Sequence, residues 1–554
     1  MEKLHILFAA IAILFGSCSN DELAIEQPEQ KGSAPQLVAT VEQEVITKSG
    51  VIENNDYTLG EKFYWSNKDA TSVLFKNSSM DEDEYKLAHY EAIVAQGVQN
   101  NNCTFDLVDS EIINNGAYTA YGLFPTEAWE DWCYATNFLE TYVPTYQIQN
   151  EDNSTHLGAY MLMKAQGDVT VDGSNPINLT YKHLASVLRF AVWNNSSNNG
   201  LKLTNINVKL SSGKAVFASK ANLKDVNATS LTIHSSSKVP ELTLQLTGDA
   251  RNFSTKDGKS QGEGYVAVLP TATDAFGNSD NLIIELSFTD ETNNYYTTKT
   301  YNIETDLSFL SNGIEQGKSY YFQLKVDNSD LNTITGTSYA VGDYWPTQAD
   351  PKGIVFWVKP GSFGTQGKVV GLKETYVSQW GDDDDGVGKD EEAEGVIGIR
   401  SMTDGATATR NMIIKYKSSE TFSTDYPAFY YIYKIVNNGD ENGAWYLPAR
   451  DELKMLYAGY SGKIYEQITN WGDNKDMPGY DSQECKDARS GFNSKLTAKS
   501  GMAIGGNTEQ GVEWYYLSSS EYSDKLSYLL KFDQGMPHVD RKSYDGNIRW
   551  IRNF

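Results

Sequence analysis

The sequence predicts a mostly β protein, antiparallel β-sandwich lobes followed by a smaller unit of mixed strands and helices. Three observations carry this. From about residue 56 to 328, short runs alternate apolar and polar side chains with period two, the pattern of a strand with one buried face. Between the runs lie clusters of Asn, Gly, Ser and Asp, which favour turns. Beyond residue 339, aromatic and glycine-rich strands are interrupted by amphipathic helical stretches.

The alternation is strict. Ile206, Val208 and Leu210 flank Asn207 and Lys209, and Leu242, Leu244 and Leu246 flank Thr243 and Gln245. Ile284, Leu286 and Phe288, then Phe322, Leu324 and Val326, repeat the pattern. Long, evenly spaced strands of this kind build sandwiches. The region is long enough for two in series, divided near Asn194–Gly200: one lobe over 51–195, a second over 196–328, and a polar linker over 329–338.

At 554 residues the chain exceeds what one core organises. A net charge of −27 argues against a nucleic-acid or anionic-membrane partner, since either would repel this surface. The 35 Tyr, 11 Trp and 21 Phe suit strands better than helical bundles. The four cysteines, Cys18, Cys103, Cys133 and Cys485, match no zinc spacing. Cys103 and Cys133 are a candidate disulfide in an oxidising compartment, and isolated buried thiols are the other reading.

The first residues carry an address. Lys3, the apolar run Ile6–Phe15 and the small residues Gly16 and Ser17 before Cys18 form a secretory signal too short to span a bilayer. The cysteine after small residues resembles a bacterial lipobox, which implies that Cys18 becomes the lipidated first residue of the mature protein. Ser19-Asn20-Asp21-Glu22 resembles the acidic export tag of surface lipoproteins in the Bacteroidota, implying an outer-membrane, cell-surface location with the lipid as the only membrane anchor. Residues 19–50 read as a tether with an embedded strand candidate over Leu37–Val45.

An ordered series of motifs between about residues 35 and 328 resembles the fimbrillins, the subunits of type V pili. These are Phe63–Asp69 (FYWSNKD), Thr119–Pro125 (TAYGLFP), Tyr160–Met163, Leu179–Phe190 (LTYKHLASVLRF), Tyr265–Pro270 and Gly317–Leu324. The resemblance implies two β-sandwich lobes, secretion as a lipoprotein, and assembly with other pilin subunits by strand exchange. In that family an N-terminal strand is cut away after a basic residue, usually Arg, and a neighbour's strand fills the groove. Here no Arg precedes Arg189, and Lys48 before Ser49 stands at the matching place. His183, alone inside an apolar run, reads as a structural histidine.

The C-terminal stretch 443–457 has an aromatic strand, Pro448 suited to a helix start, acidic Asp451 and Glu452 in the first turn, and a stripe of Leu453, Leu456 and Tyr457. A second helix is expected around Ser490–Lys499. Trp445–Leu453 (WYLPARDEL), Trp514–Glu521 (WYYLSSSE) and Ile548–Phe554 (IRWIRNF) together resemble the C-type-lectin-like modules of the DUF1566, or Lcl C-terminal, group over residues 339–554. That implies an α+β fold with two helices against a small sheet and termini close together. Trp445, Pro448, Glu452, Leu453, Trp514, Glu521, Arg549 and Arg552 are its signature residues, with Trp445, Trp514 and Trp550 expected in the core and Glu521 paired with Arg549 or Arg552.

Chemistry is sparse. Ser518–Ser520 lack a nearby His, and His538 sits in a separate loop, so no nucleophile–base pair is expected and the chain reads as a non-enzyme without a cofactor. The run Asp382-Asp383-Asp384-Asp385, continued by Asp390 to Glu394, is either a Ca²⁺ site or a solvated loop of repelling carboxylates, and the second reading is favoured. Tyr376 and Trp380 beside it are candidate sugar-stacking platforms. The expected function is a fimbrial subunit, a tip or accessory adhesin presenting a lectin-like module to a host or microbial surface glycan or protein. The alternative is a non-polymerising surface lipoprotein that binds glycans for nutrient capture.

Overall fold

The computed structural model describes residues 34–42, 63–381 and 395–554, leaving out 82–83, 96–99, 134–137, 235–236, 257–258, 274, 277–279, 291–294, 298–299, 305–309, 311, 334–335, 469–470, 473 and 506–513, and the side chains of 130–138, 256, 291–309 and 332. The expected signal peptide with Cys18, the Lys48–Ser49 bond and the acidic run from Asp382 to Glu394 lie outside the described residues. No described helix is long and apolar enough to cross a membrane.

The mostly β architecture is as expected, with helices gathered at the C-terminal end. In the first lobe, β1 (Leu37–Val41), β2 (Ala70–Lys76), β3 (Lys86–Ala92), β4 (Asn102–Ser110) and β5 (Gly116–Phe124) join the strands Met163–Val171 and Ile177–His183. Together they close into a barrel. Period two holds well: Ile177, Leu179, Tyr181 and His183 face inward while Asn178, Thr180 and Lys182 face out. The Phe63–Asp69 motif is an extended segment and turn rather than a strand. It delivers Trp65 to the barrel centre, where Phe105, Phe124 and Tyr181 meet the indole edge to face at 5.0, 5.1 and 5.6 Å.

The second lobe is a sandwich. A 4-stranded sheet (Ser254–Lys256, Lys259–Val268, Ser186–Asn194, Ser319–Val326) faces a 7-stranded one that includes Asn281–Thr289, Lys202–Leu210, Glu241–Leu246 and Tyr146–Gln149. Leu188, Phe190, Ile206, Leu244, Ile284 and Phe322 fill the space between. This corrects the expected division at 195/196. The chain changes lobe at Leu184–Ala185, because Ser186–Asn194 pairs with Lys259–Val268 and runs parallel to Ser319–Val326. The lobes are also interleaved, since Tyr146–Gln149, from within the first lobe's sequence, pairs with Glu241–Leu246. Alternation reports which face of a strand is buried, not which sheet it joins. The expected linker contains a further short strand, Asn332–Thr333.

The C-terminal unit holds a 4-stranded and a 5-stranded sheet with helices Gly405–Tyr416, Arg450–Tyr460 and Gln483–Thr497. The first of these was not expected from the sequence. Asp404 caps it by accepting from the Thr407 amide at 3.0 Å, and its buried apolar side chains are Ala408, Met412 and Ile413, with Gly405 and Thr409 buried beside them. The expected helix at 490–499 begins earlier, at Gln483, where the Ser482 side chain accepts from the Cys485 amide. The ends of the unit meet, with the rings of Tyr339 and Phe554 5.1 Å apart. The unit sits on the sandwich through an ion pair of Lys359 with Glu241 at 3.2 Å and through Gly361, whose positive φ and contact with Asn205 and Ser287 leave no room for a Cβ.

Helix Arg450–Tyr460 starts two residues after Pro448, whose carbonyl accepts from the Ser519 amide at 2.7 Å. The start is organised by Glu452. One carboxylate oxygen accepts from the amides of Ala449 (2.9 Å) and Gly405 (3.1 Å), and the other from Lys368 Nζ (2.7 Å) and the Tyr446 hydroxyl (2.9 Å). One buried side chain thus satisfies the first turns of two helices and ties them to a strand. Glu452→Ala is expected to destabilise the unit by about 2–3 kcal/mol, because several buried donors lose their acceptor. Urea unfolding of the variant measures this.

Candidate functional site

The slot that β1 occupies is the first candidate. β1 lies between Ile177–His183, to which it is parallel, and β4, to which it is antiparallel, in register Leu37↔Ile177 and Leu37↔Phe105. Leu37, Ala39 and Val41 are buried in the barrel. The main-chain groups on either side of them are bound as well. The Trp65 indole N–H donates to the Ala39 carbonyl at 3.1 Å and the Tyr90 hydroxyl to the Pro35 carbonyl at 2.9 Å. The Ile177 amide donates to the Gln36 carbonyl at 2.8 Å, and the Glu42 amide to the Tyr181 carbonyl at 2.9 Å. Burial pushes the Tyr90 and Tyr181 hydroxyls well above their ordinary range.

Lys48 stands in sequence between β1 and the rest of the barrel, so a cut at Lys48–Ser49 would leave β1 held by non-covalent contacts alone. Loss of β1 would unpair the facing edges of β4 and Ile177–His183 and open an apolar slot walled by Trp65, Tyr90, Phe105, Leu179 and Tyr181. Such a slot is a template for another extended segment. The alternation at Leu37–Val41 marked the strand in the sequence. Nothing in the sequence marked Tyr90 as its clamp, because a strand tyrosine reads the same whether its hydroxyl meets water or a carbonyl.

The expected ligand face of the C-terminal unit is corrected in part. Trp380 is fully buried, its indole donating to the Ser518 carbonyl at 2.6 Å and its ring packed edge to face on Phe429, so it offers no stacking surface. Tyr376 is half-buried and its hydroxyl donates to Asp545 at 2.6 Å. Asp382, Asp383, Asp384 and Asp385 lie outside the described residues, so the loop as a whole stays an expectation. Among the described residues no cluster of three His, Cys, Asp or Glu could hold a metal ion. The tryptophans expected in the core are the more open ones: Trp514 is 36% exposed, and Trp445 and Trp550 are half-buried.

The ion pairs differ from expectation too. Glu521 pairs with Lys542 and with Arg400 (3.0 Å), not with Arg549 or Arg552. Arg549 pairs with Glu374 at 2.8 Å, both fully buried. Arg552 lies over the rings of Trp345 (4.2 Å) and Trp445 (5.6 Å). Leu453 is in the core as expected. Cys103 is a free buried thiol whose Sγ–H faces the carbonyls of Ile93 and Thr104, which corrects the candidate disulfide; the Cys133 side chain lies outside the described residues.

His183 packs on Phe63 at 5.6 Å, and burial pushes its imidazole down to about 4. The Ser518 and Ser520 hydroxyls donate to the carbonyls of Tyr528 (2.8 Å) and Ser401 (2.6 Å). His538 bonds the Asn474 side chain instead.

Among solved structures, a fimbrial protein from Bacteroides ovatus aligns at 14% identity over 94% of this chain and 99% of its own, with a TM-score of 0.25. A fimbrial protein from Bacteroides vulgatus aligns at 13% identity over 55% of this chain and 100% of its own, TM-score 0.31. A fimbrial assembly protein from Parabacteroides distasonis aligns at 9% identity over 53% and 92%, TM-score 0.25. No curated protein matches. The family description "Fimbrillin-like" matches residues 65–343, which span the sandwich and the barrel apart from β1. With half of its length so matched, the chain belongs to the fimbrillin-like family.

Proposed function

We propose that this chain is a tip or accessory adhesin of a fimbrium, anchored or exported through lipidated Cys18. On this reading it accepts a neighbouring subunit's strand into the slot now filled by β1. The observation that carries the reading is the seat of β1: a short apolar strand, bound along both edges, whose covalent link to the barrel passes through Lys48. Residues 339–554, read as a C-type-lectin-like module, then form the binding head. They follow directly on the last strands of the sandwich, where a folded unit obstructs donation of a C-terminal strand to a further subunit. We read the head as a binding unit for a surface glycan or protein and assign it no catalysis.

Mass spectrometry of the mature protein from cells tests this. A new N-terminus at Ser49 is the expected result. An uncut Lys48–Ser49 bond would overturn strand exchange and favour the anchored glycan-binding lipoprotein. Immunogold labelling should mark fibre ends, and regular spacing along the shaft would overturn the terminal position.

A further inference from the structure

A cleft of about 510 Å³ lies between the sandwich and the C-terminal unit, within the roughly 300–1,000 Å³ of small-molecule sites. Tyr146, Asn205, Gln245 and Arg251 line it from the sandwich, and Trp357 and Glu466 from the C-terminal unit. We propose that this cleft binds an acidic saccharide, with the sugar carboxylate on Arg251 and a sugar ring against Trp357.

Three features select that chemistry. Arg251, at the end of the turn Gly248–Arg251, has a buried Nε without a hydrogen-bond partner, and no ion pair to its guanidinium is found among the described residues. An unmatched guanidinium is unusual in a chain with 73 acidic and 46 basic residues, where counter-charge is plentiful. Its planar fork fits a carboxylate with two parallel hydrogen bonds. Trp357 is half-buried, and its indole N–H donates to a Glu466 carboxylate oxygen, so the ring is fixed in place before a ligand arrives. Its flat apolar face suits the C–H face of a pyranose. The remaining groups are those that hydroxyls need: Gln245 accepts from the Tyr146 hydroxyl and its NH₂ is a donor, and Glu466 keeps acceptor capacity. Glu466 also disfavours a phosphate dianion at this position, which leaves a singly charged, hydroxyl-rich ligand as the better match.

The reading as an adhesin supplies only the ligand's biological setting, and the cleft does not require cleavage at Lys48, so either idea can fail without the other. The test is calorimetric titration of the full chain with a glucuronate-containing oligosaccharide, with sialyllactose, and with lactose as the neutral control. Saturable binding of either acidic probe is expected, with lactose and the Arg251→Gln variant each weaker by about tenfold or more. Whichever acidic probe binds identifies the source of the carboxylate. Arg251→Lys, which keeps the charge and loses the fork, should fall between. Since Arg251 supports no contact described above, the variant should unfold with the parent, and a thermal scan checks that. Absence of binding by both acidic probes, equal binding of lactose, or unchanged affinity in a folded Arg251→Gln protein would each overturn the proposal.

Discussion

Glu374→Gln is expected to destabilise the C-terminal unit by about 3–5 kcal/mol, as breaking a buried ion pair does. Glu374 and Arg549 are both fully buried, and the pair is 2.8 Å apart. Arg549 also donates to the carbonyls of Gly371 (3.2 Å), Leu372 (3.1 Å) and Met502 (2.6 Å), so the guanidinium cannot turn away to solvent. Glu374 in turn accepts from the Tyr516 hydroxyl at 2.6 Å, and burial together with this carboxylate holds that hydroxyl well above its ordinary range. Gln keeps the shape and removes the charge, leaving a cation in the core without its counter-ion. The double variant Glu374→Leu, Arg549→Met should lose far less, because no charge is then stranded. Denaturant unfolding followed through the unit's own transition measures both. A loss below about 1 kcal/mol for the single variant would contradict this account.

Trp65→Ala is expected to cost about 3–5 kcal/mol and to loosen β1. The indole is the hub of the barrel's aromatic cluster, and its N–H is the side-chain donor to the Ala39 carbonyl. Removing it opens a large cavity and takes one donor from the Ala39 carbonyl. Hydrogen exchange separates the two effects. The amides of Leu37–Val41 should exchange faster than those of β2 and β3, since β1 is joined to the barrel from one end only. Trp65→Phe, which keeps a ring and loses the donor, should give a smaller change of the same kind. Unchanged protection at β1 in Trp65→Ala would remove Trp65 as its clamp.

The residues that could be read in the sequence are those whose signal is local. Alternation at Ile177–His183 fixes the buried face of that strand, since successive side chains point to opposite sides, whereas in Lys202–Leu210 every residue from Leu203 to Val208 is buried. The negative first turn of Arg450–Tyr460 and the Leu453 stripe likewise need only helical spacing. The order of fimbrillin motifs was also legible, and the family match over residues 65–343 agrees with it.

What the tertiary structure alone decided are the pairings between distant residues. Ser186–Asn194 reads identically whether it ends one lobe or begins the next, and only its partners settle the matter. Trp380 looked like a surface platform beside an acidic run, yet the Ser518 carbonyl 138 positions away takes its N–H. The sequence suggests Arg549 or Arg552 as the partner of Glu521, whereas Arg549 pairs with Glu374, 175 positions away. The cleft at Arg251 and Trp357 exists only because the sandwich and the C-terminal unit meet there. Local sequence thus determined the strands, the helix starts and the family. Long-range packing, which no short window of sequence encodes, determined which charges pair, which aromatics face water and where a ligand could lie.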